Sequence, residues 1–140
     1  MCRVVKKGKP TMSNVYGPNN IPDWFWEIIA RAQNSRKKLK DILMMFDYDQ
    51  LKRFHIEYQR AAGYLAEERF VEHMDGQSED NVEVVTRYIV GRGKEYYMDV
   101  WNHPEHTPAY RAYDDTYFGG VPGQIMLEKF EDYIDDFDDY

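Results

Sequence analysis

The chain has 140 residues, a single cysteine and a net charge of −7, with 43% hydrophobic, 31% charged and 16% aromatic residues. That length bounds it to one domain with enough apolar side chain for a real core. Cys2 alone excludes an intrachain disulfide, and no apolar run approaches the roughly 20 residues of a membrane span.

Residues 1–19 read as a basic arm. Arg3, Lys6, Lys7 and Lys9 lie among Gly8, Pro10, Gly17 and Pro18, with no helical period. Only Val4 and Val5 separate those bases, so no secretory signal is expected and a cytoplasmic location is the default. A first helix is predicted from Pro22, with Asn20 as its cap and Asp23 in its first turn. Phe25, Ile28, Ile29 and Ala32 keep helical spacing, Trp26 widens the stripe, and Asn34-Ser35 ends it.

A second helix is expected from Arg36 to Phe46, burying Leu39, Ile42, Leu43 and Phe46, with Arg36, Lys37, Lys38 and Lys40 as a solvated basic first turn. Asp47 and Gln50 form the spacing of a capping box. They open a longer helix carrying Leu51, Phe54, Tyr58, Ala61, Ala62 and Leu65, continuing through Phe70 and Val71 to Asp75-Gly76. Gly63 within it suggests a close helix contact. Ser78 is the next cap, followed by Glu79 and Asp80. Val82, Val85, Tyr88 and Ile89 lead, past Gly91 and Gly93, to Tyr96, Val100 and Trp101. The helix must stop before His103-Pro104.

Residues 103–123 are irregular, rich in Pro and Gly, and hold Tyr110, Tyr113, Tyr117 and Phe118; a hairpin over 110–118 is an open alternative. A last helix from about Gln124 places Leu127, Phe130, Ile134 and Phe137 on one face. Its end is the acidic segment Glu131 to Tyr140, which holds six acids and no base. The expected fold is therefore mainly α: a compact single-domain bundle of about five helices over residues 20–140, with a Tyr-rich loop and an acidic C-terminal helix.

The order of several segments resembles the bacterial domain-of-unknown-function family 4240. It comprises Phe25-Trp26-Glu27-Ile28-Ile29, the helices from Leu39 to Phe54, Gly76-Gln77-Ser78-Glu79-Asp80, Tyr88-Ile89-Val90 with Gly93 and Tyr97, and Pro104-Glu105. The similarity spans about residues 22–106. Family members carry Cys, Asp and Trp where this chain has Gln77, Glu79 and Tyr88. The resemblance implies a helical fold and a toxin–immunity or related bacterial conflict setting.

Catalytic patterns fail one by one. His55-Ile56-Glu57 has the H-x-E half of a zinc deaminase, but the thiolate half needs cysteines the chain lacks. Gly91-Arg92-Gly93 follows a helical pattern and has no third glycine, so it reads as a packing feature. His103, Glu105 and His106 are metal-capable types on a Pro-stopped loop, and read as a surface cluster. No cofactor or metal is expected. The leading expectation is a non-catalytic inhibitor or immunity-type protein binding a basic protein through Tyr110, Tyr113, Tyr117, Asp132, Asp135, Asp136, Asp138 and Asp139. The alternative is an enzyme or small-ligand domain with a cleft at Trp26, Asp80, Arg87 and Tyr97. Nucleic acid is expected, if at all, only at the N-terminal arm, because the acidic end repels phosphates.

Overall fold

The three-residue helical turn at Pro18–Asn20 does not cap the first helix. Asn20 sends its side-chain amide to the Tyr64 hydroxyl (3.1 Å) instead. This computed structural model describes residues 18–74, 79–109, 118 and 120–131, without the side chains of 79 and 80. Residues 1–17 of the arm, the Ser78 cap, the loop tyrosines and the tail from Asp132 lie outside the described residues.

Helix α1 spans Asp23–Ala32, with Pro22 in the N-cap position and Arg31 in the last turn. Gln33 and Asn34 take positive φ values of 50° and 57°, turning the chain sharply. Ser35 then caps α2 (Arg36–Leu43) by accepting the Lys38 amide at 3.2 Å. The expected second helix ran on to Phe46; it stops at Leu43, and Met44 and Met45 form a turn. Helix α3 (Tyr48–Tyr64) opens with the anticipated capping box, the Asp47 and Gln50 bonds measuring 2.8 and 3.0 Å. Its stripe from Leu51 to Leu65 is buried throughout.

Two predicted helices are each split. The third breaks at Leu65, where Leu65 and Ala66 amides turn to the Ala62 and Gly63 carbonyls, tightening the last turn. A short α4 (Glu68–Val71) follows and inserts Phe70 into the core. The fourth divides into α5 (Glu79–Gly91) and α6 (Lys94–Asn102) at Gly93, whose φ of 109° no helix accommodates. The stop before Pro104 falls as expected, Pro104–His106 forming a short turn. Helix α7 (Val121–Phe130) starts ahead of Gln124, behind Gly120, and ends at Glu131, whose φ is 53°. It buries Val121, Pro122, Ile125 and Met126, while Leu127, expected on the inner face, is exposed. The described residues thus form seven α-helices where about five were expected, and the acidic segment beyond Glu131 lies outside the described residues.

The helices pack as α1 on α2, α2 and α3 on α7, α3 on α5, and α5 on α6. A chain of rings runs through the core. Phe54 stacks on Phe25 at 5.1 Å, Phe25 meets Trp26 at 5.2 Å, and Trp26 meets Tyr97 at 5.3 Å. Tyr97 stacks on Trp101 at 6.5 Å, and Trp101 meets Phe70 at 5.5 Å. Two hydroxyls tie this chain to the backbone. Tyr97 donates to the Ala61 carbonyl and Tyr58 to the Arg87 carbonyl, both at 2.7 Å. Buried tyrosines need such acceptors, and helix carbonyls supply them.

Candidate functional site

Two surface features stand out from the packed interior. The first is the end of the bundle where the α2–α3 turn meets α7. Met45 is 84% exposed in the turn, Met44 and Tyr48 are exposed near it in the chain, and Leu127 is exposed on α7. The turn is held in place from α7. Lys129 donates through Nζ to the Met44 and Phe46 carbonyls at 2.7 and 2.5 Å, and the Phe130 ring lies 5.5 Å from Tyr48. Lys40 pairs with Glu128 at 3.6 Å. Lys40 and Lys129 are therefore engaged within the fold, and Met45 is the most exposed apolar side chain of this surface. Phe46 also lines a notch of about 220 Å³ with Trp24, Ile28, Gln50 and Arg53, the Arg53 guanidinium lying 5.7 Å from the Trp24 ring.

The second is an open cleft of about 590 Å³ between α1 and the start of α6. Asp23, Trp26, Glu27 and Ala30 line it from one side, at the helical spacing i, i+3, i+4 and i+7. Arg92, Lys94 and Glu95 line it from the other. Trp24 and Ile28 of the apolar notch sit on a different stripe of α1, so one short helix contributes to both features.

The sequence-predicted residues separate. Trp26 and Tyr97 come together, but as neighbours in the ring chain: Tyr97 is fully buried and Trp26 nearly so. Arg87 forms an i,i+4 ion pair with Glu83 at 3.0 Å. The Asp80 side chain lies outside the described residues, as do Tyr110, Tyr113, Tyr117, Asp132, Asp135, Asp136, Asp138 and Asp139. The cleft partner of Trp26 is Arg92, one turn and a residue beyond Arg87. Sequence reasoning put Arg87, and not Arg92, in the cleft, because the break at Gly93, which brings Arg92 beside α1, leaves no periodic trace. The exposed Met44-Met45 pair was missed because Phe46 was placed at the end of a continuous helix.

The basic turn of α2 is engaged with solvent-side partners. Lys37 lies 3.7 Å from Asp41, and Lys38 donates to the Gln33 side-chain oxygen. His106 Nδ1 lies 2.9 Å from Asp99, and His103 Nδ1 3.8 Å from Glu105. Among the described residues no three His, Cys, Asp or Glu side chains are grouped to hold a metal. No described helix is long and apolar enough to cross a membrane.

One titratable group on α3 is perturbed. Burial raises the Glu57 pKa, against the opposing pull of Arg60 and Arg53. Glu57 sits 3.2 Å from Arg60, and its other carboxylate oxygen is buried without a partner. A carboxyl whose folded pKa is raised binds its proton more tightly in the native state. Its ionisation therefore lowers stability as pH climbs from the unfolded to the folded value. Glu57→Gln should gain stability relative to the parent across that window, just above the usual glutamate range. Urea denaturation at a series of pH values checks this; a difference that is flat or opposite in sign rejects it.

Comparison with known proteins finds no matching family model, curated protein or solved structure.

Proposed function

We propose that this chain is a protein-binding domain. Its partner surface is the apolar end formed by the α2–α3 turn and α7, extended by the acidic residues that follow Glu131. The carrying observation is the exposure of Met44 and Met45 on a turn clamped by Lys129, with Tyr48 exposed at the start of α3 and Leu127 on α7. Contiguous exposed apolar groups on a folded domain mark contact surfaces, and methionine adapts its flexible side chain to a partner. A clamped turn loses little freedom on binding, so more of the contact energy becomes affinity. The notch at Trp24 and Phe46 offers room for one anchoring side chain of the partner.

Charge gives the partner's chemistry. Lys40 and Lys129 are already engaged, whereas Asp132, Asp135, Asp136, Asp138 and Asp139 follow α7 without a base among them. An apolar patch continued by acids fits a basic protein, with charge steering encounter and the patch holding the complex. An inhibitor or immunity-type role in a bacterial cytoplasm, kinship with family 4240 and contacts through Tyr110, Tyr113 and Tyr117 belong to the same proposal.

The test is affinity capture from the source cells, followed by binding of the recovered protein to three forms: the full chain, Met45→Asp/Leu127→Asp, and a chain ending at Glu131. The patch variant is expected to lose at least about tenfold in affinity, equivalent to about 1.4 kcal/mol. The shortened chain should mainly lose association rate and salt sensitivity. Unchanged binding by both altered forms rejects the surface.

A further inference from the structure

The turn between α2 and α3 fixes a backbone while leaving one side chain in water. The amides of Met44, Met45 and Phe46 donate to the carbonyls of Lys40, Ile42 and Leu43 at 2.9, 3.1 and 3.0 Å. Lys129 Nζ donates to the carbonyls of Met44 and Phe46, the residues on either side of Met45. The backbone around Met45 is thus bonded on both flanks, yet Met45 is 84% exposed. The chain has seven methionines, of which Met1 and Met12 lie outside the described residues. The others grade steeply. Met44 is 37% exposed, Met98 is partly buried against the core, and Met74 and Met126 are each 1% exposed.

A thioether reacts with a peroxide by attack of sulfur on oxygen. The S–O bond forms as the O–O bond breaks, and sulfur gives up two electrons. The departing hydroxide takes the proton of the transferred hydroxyl and leaves as water, so the product is a sulfoxide. Water solvates the charge that develops in this step only at an exposed sulfur. We propose that Met45 is a modification site for hydrogen peroxide, and that its sulfoxide switches off the contact surface of the α2–α3 turn. This inference rests on the protein-binding reading of that surface. Oxidation turns an adaptable apolar side chain into a polar one. The sulfoxide oxygen loses its water when a partner covers the turn, and an apolar contact offers it no donor, so the complex weakens. The fold is untouched, because none of the bonds that hold the turn involves the sulfur. The change is reversible, since methionine sulfoxide reductases restore the thioether.

The experiment treats the full chain with graded hydrogen peroxide and reads each methionine by peptide mass spectrometry. Met45 is expected to oxidise at least about tenfold faster than Met74 and Met126, with Met44 between them. The urea midpoint should not move when Met45 alone has reacted. The protein recovered by affinity capture is then titrated with the unmodified chain, the Met45-oxidised chain, and Met45→Leu before and after peroxide. Oxidation should weaken binding about tenfold or more, and reductase treatment should restore it. Met45→Leu should bind as the parent does and lose sensitivity to peroxide. Equal oxidation of Met45 and the buried methionines overturns the site without reference to any partner. Undiminished binding by the oxidised chain, where Met45→Asp/Leu127→Asp does lose affinity, overturns the switch and leaves the contact surface standing. If that double variant binds as the parent does, the surface is rejected and the switch with it. Peroxide sensitivity that persists in Met45→Leu overturns Met45 as its seat.

Discussion

Replacing Phe25 by alanine should lower the free energy of unfolding by about 4 kcal/mol, the range for truncating a fully buried phenylalanine. Phe25 has no exposed surface. Its ring lies within 6.3 Å of four others, those of Trp24, Trp26, Phe54 and Tyr58. Truncation opens a cavity that these rings cannot readily fill. Tyr58 is tethered to the Arg87 carbonyl, and Tyr97, behind Trp26, to the Ala61 carbonyl. A cavity whose walls cannot collapse lies at the costly end of the range. Urea denaturation followed by tryptophan fluorescence measures the loss. Met45→Ala, on the exposed turn, should move stability by less than about 0.5 kcal/mol. A loss below about 2 kcal/mol for Phe25→Ala would mean that the ring chain is not close-packed.

The second large effect is expected at Gly91. A Cβ there would lie 3.0 Å from both the Phe118 ring and the Tyr58 hydroxyl. Phe118 is fully buried and Tyr58 is held by its hydrogen bond, so neither yields freely. Gly91→Val should cost about 3 kcal/mol by overpacking. Gly63 supplies the contrast. The sequence reading assigned the close contact to Gly63, yet that residue is exposed and a Cβ on it would meet nothing within 4 Å. Gly63→Ala should instead raise stability by about 1 kcal/mol, through better helix propensity and a less flexible unfolded chain. Thermal melts of the two variants beside the parent decide it. Destabilisation at Gly63, or tolerance at Gly91, would reverse the assignment.

Local chemistry was legible wherever it is settled within a few residues. The Asp47–Gln50 box, the apolar stripe from Leu51 to Leu65, the buried face at Leu39 and Leu43, and the stop before Pro104 all follow from short-range hydrogen bonding and the helical period. The breaks at Leu65 and Gly93 were not legible, because apolar spacing continues across both. Gly93 is tolerated in a helix at a modest cost or used at positive φ to end one, and only packing chooses between them. The candidate surfaces were missed for the same reason. Met44 and Met45 become a presented pair only once α2 ends at Leu43 and Lys129 clamps the turn. Arg92 meets α1 only once α6 turns away from α5.

The sequence by itself determined that this protein is helical, where most helices begin, and which faces of α1, α2, α3 and α5 are apolar. Capping bonds and helical periodicity act over a single turn, so residue order alone specifies them. The tertiary structure decided that two of the anticipated helices are each divided, that Trp26 and Tyr97 are core partners, and that Gly91 rather than Gly63 is the tight contact. It also decided that one short helix serves an apolar end on one stripe and a two-signed cleft on another. Those outcomes depend on residues such as Tyr58 and Arg87, or Lys129 and Met44, that lie far apart in the chain. Packing free energy brings such pairs together, and no local pattern records it.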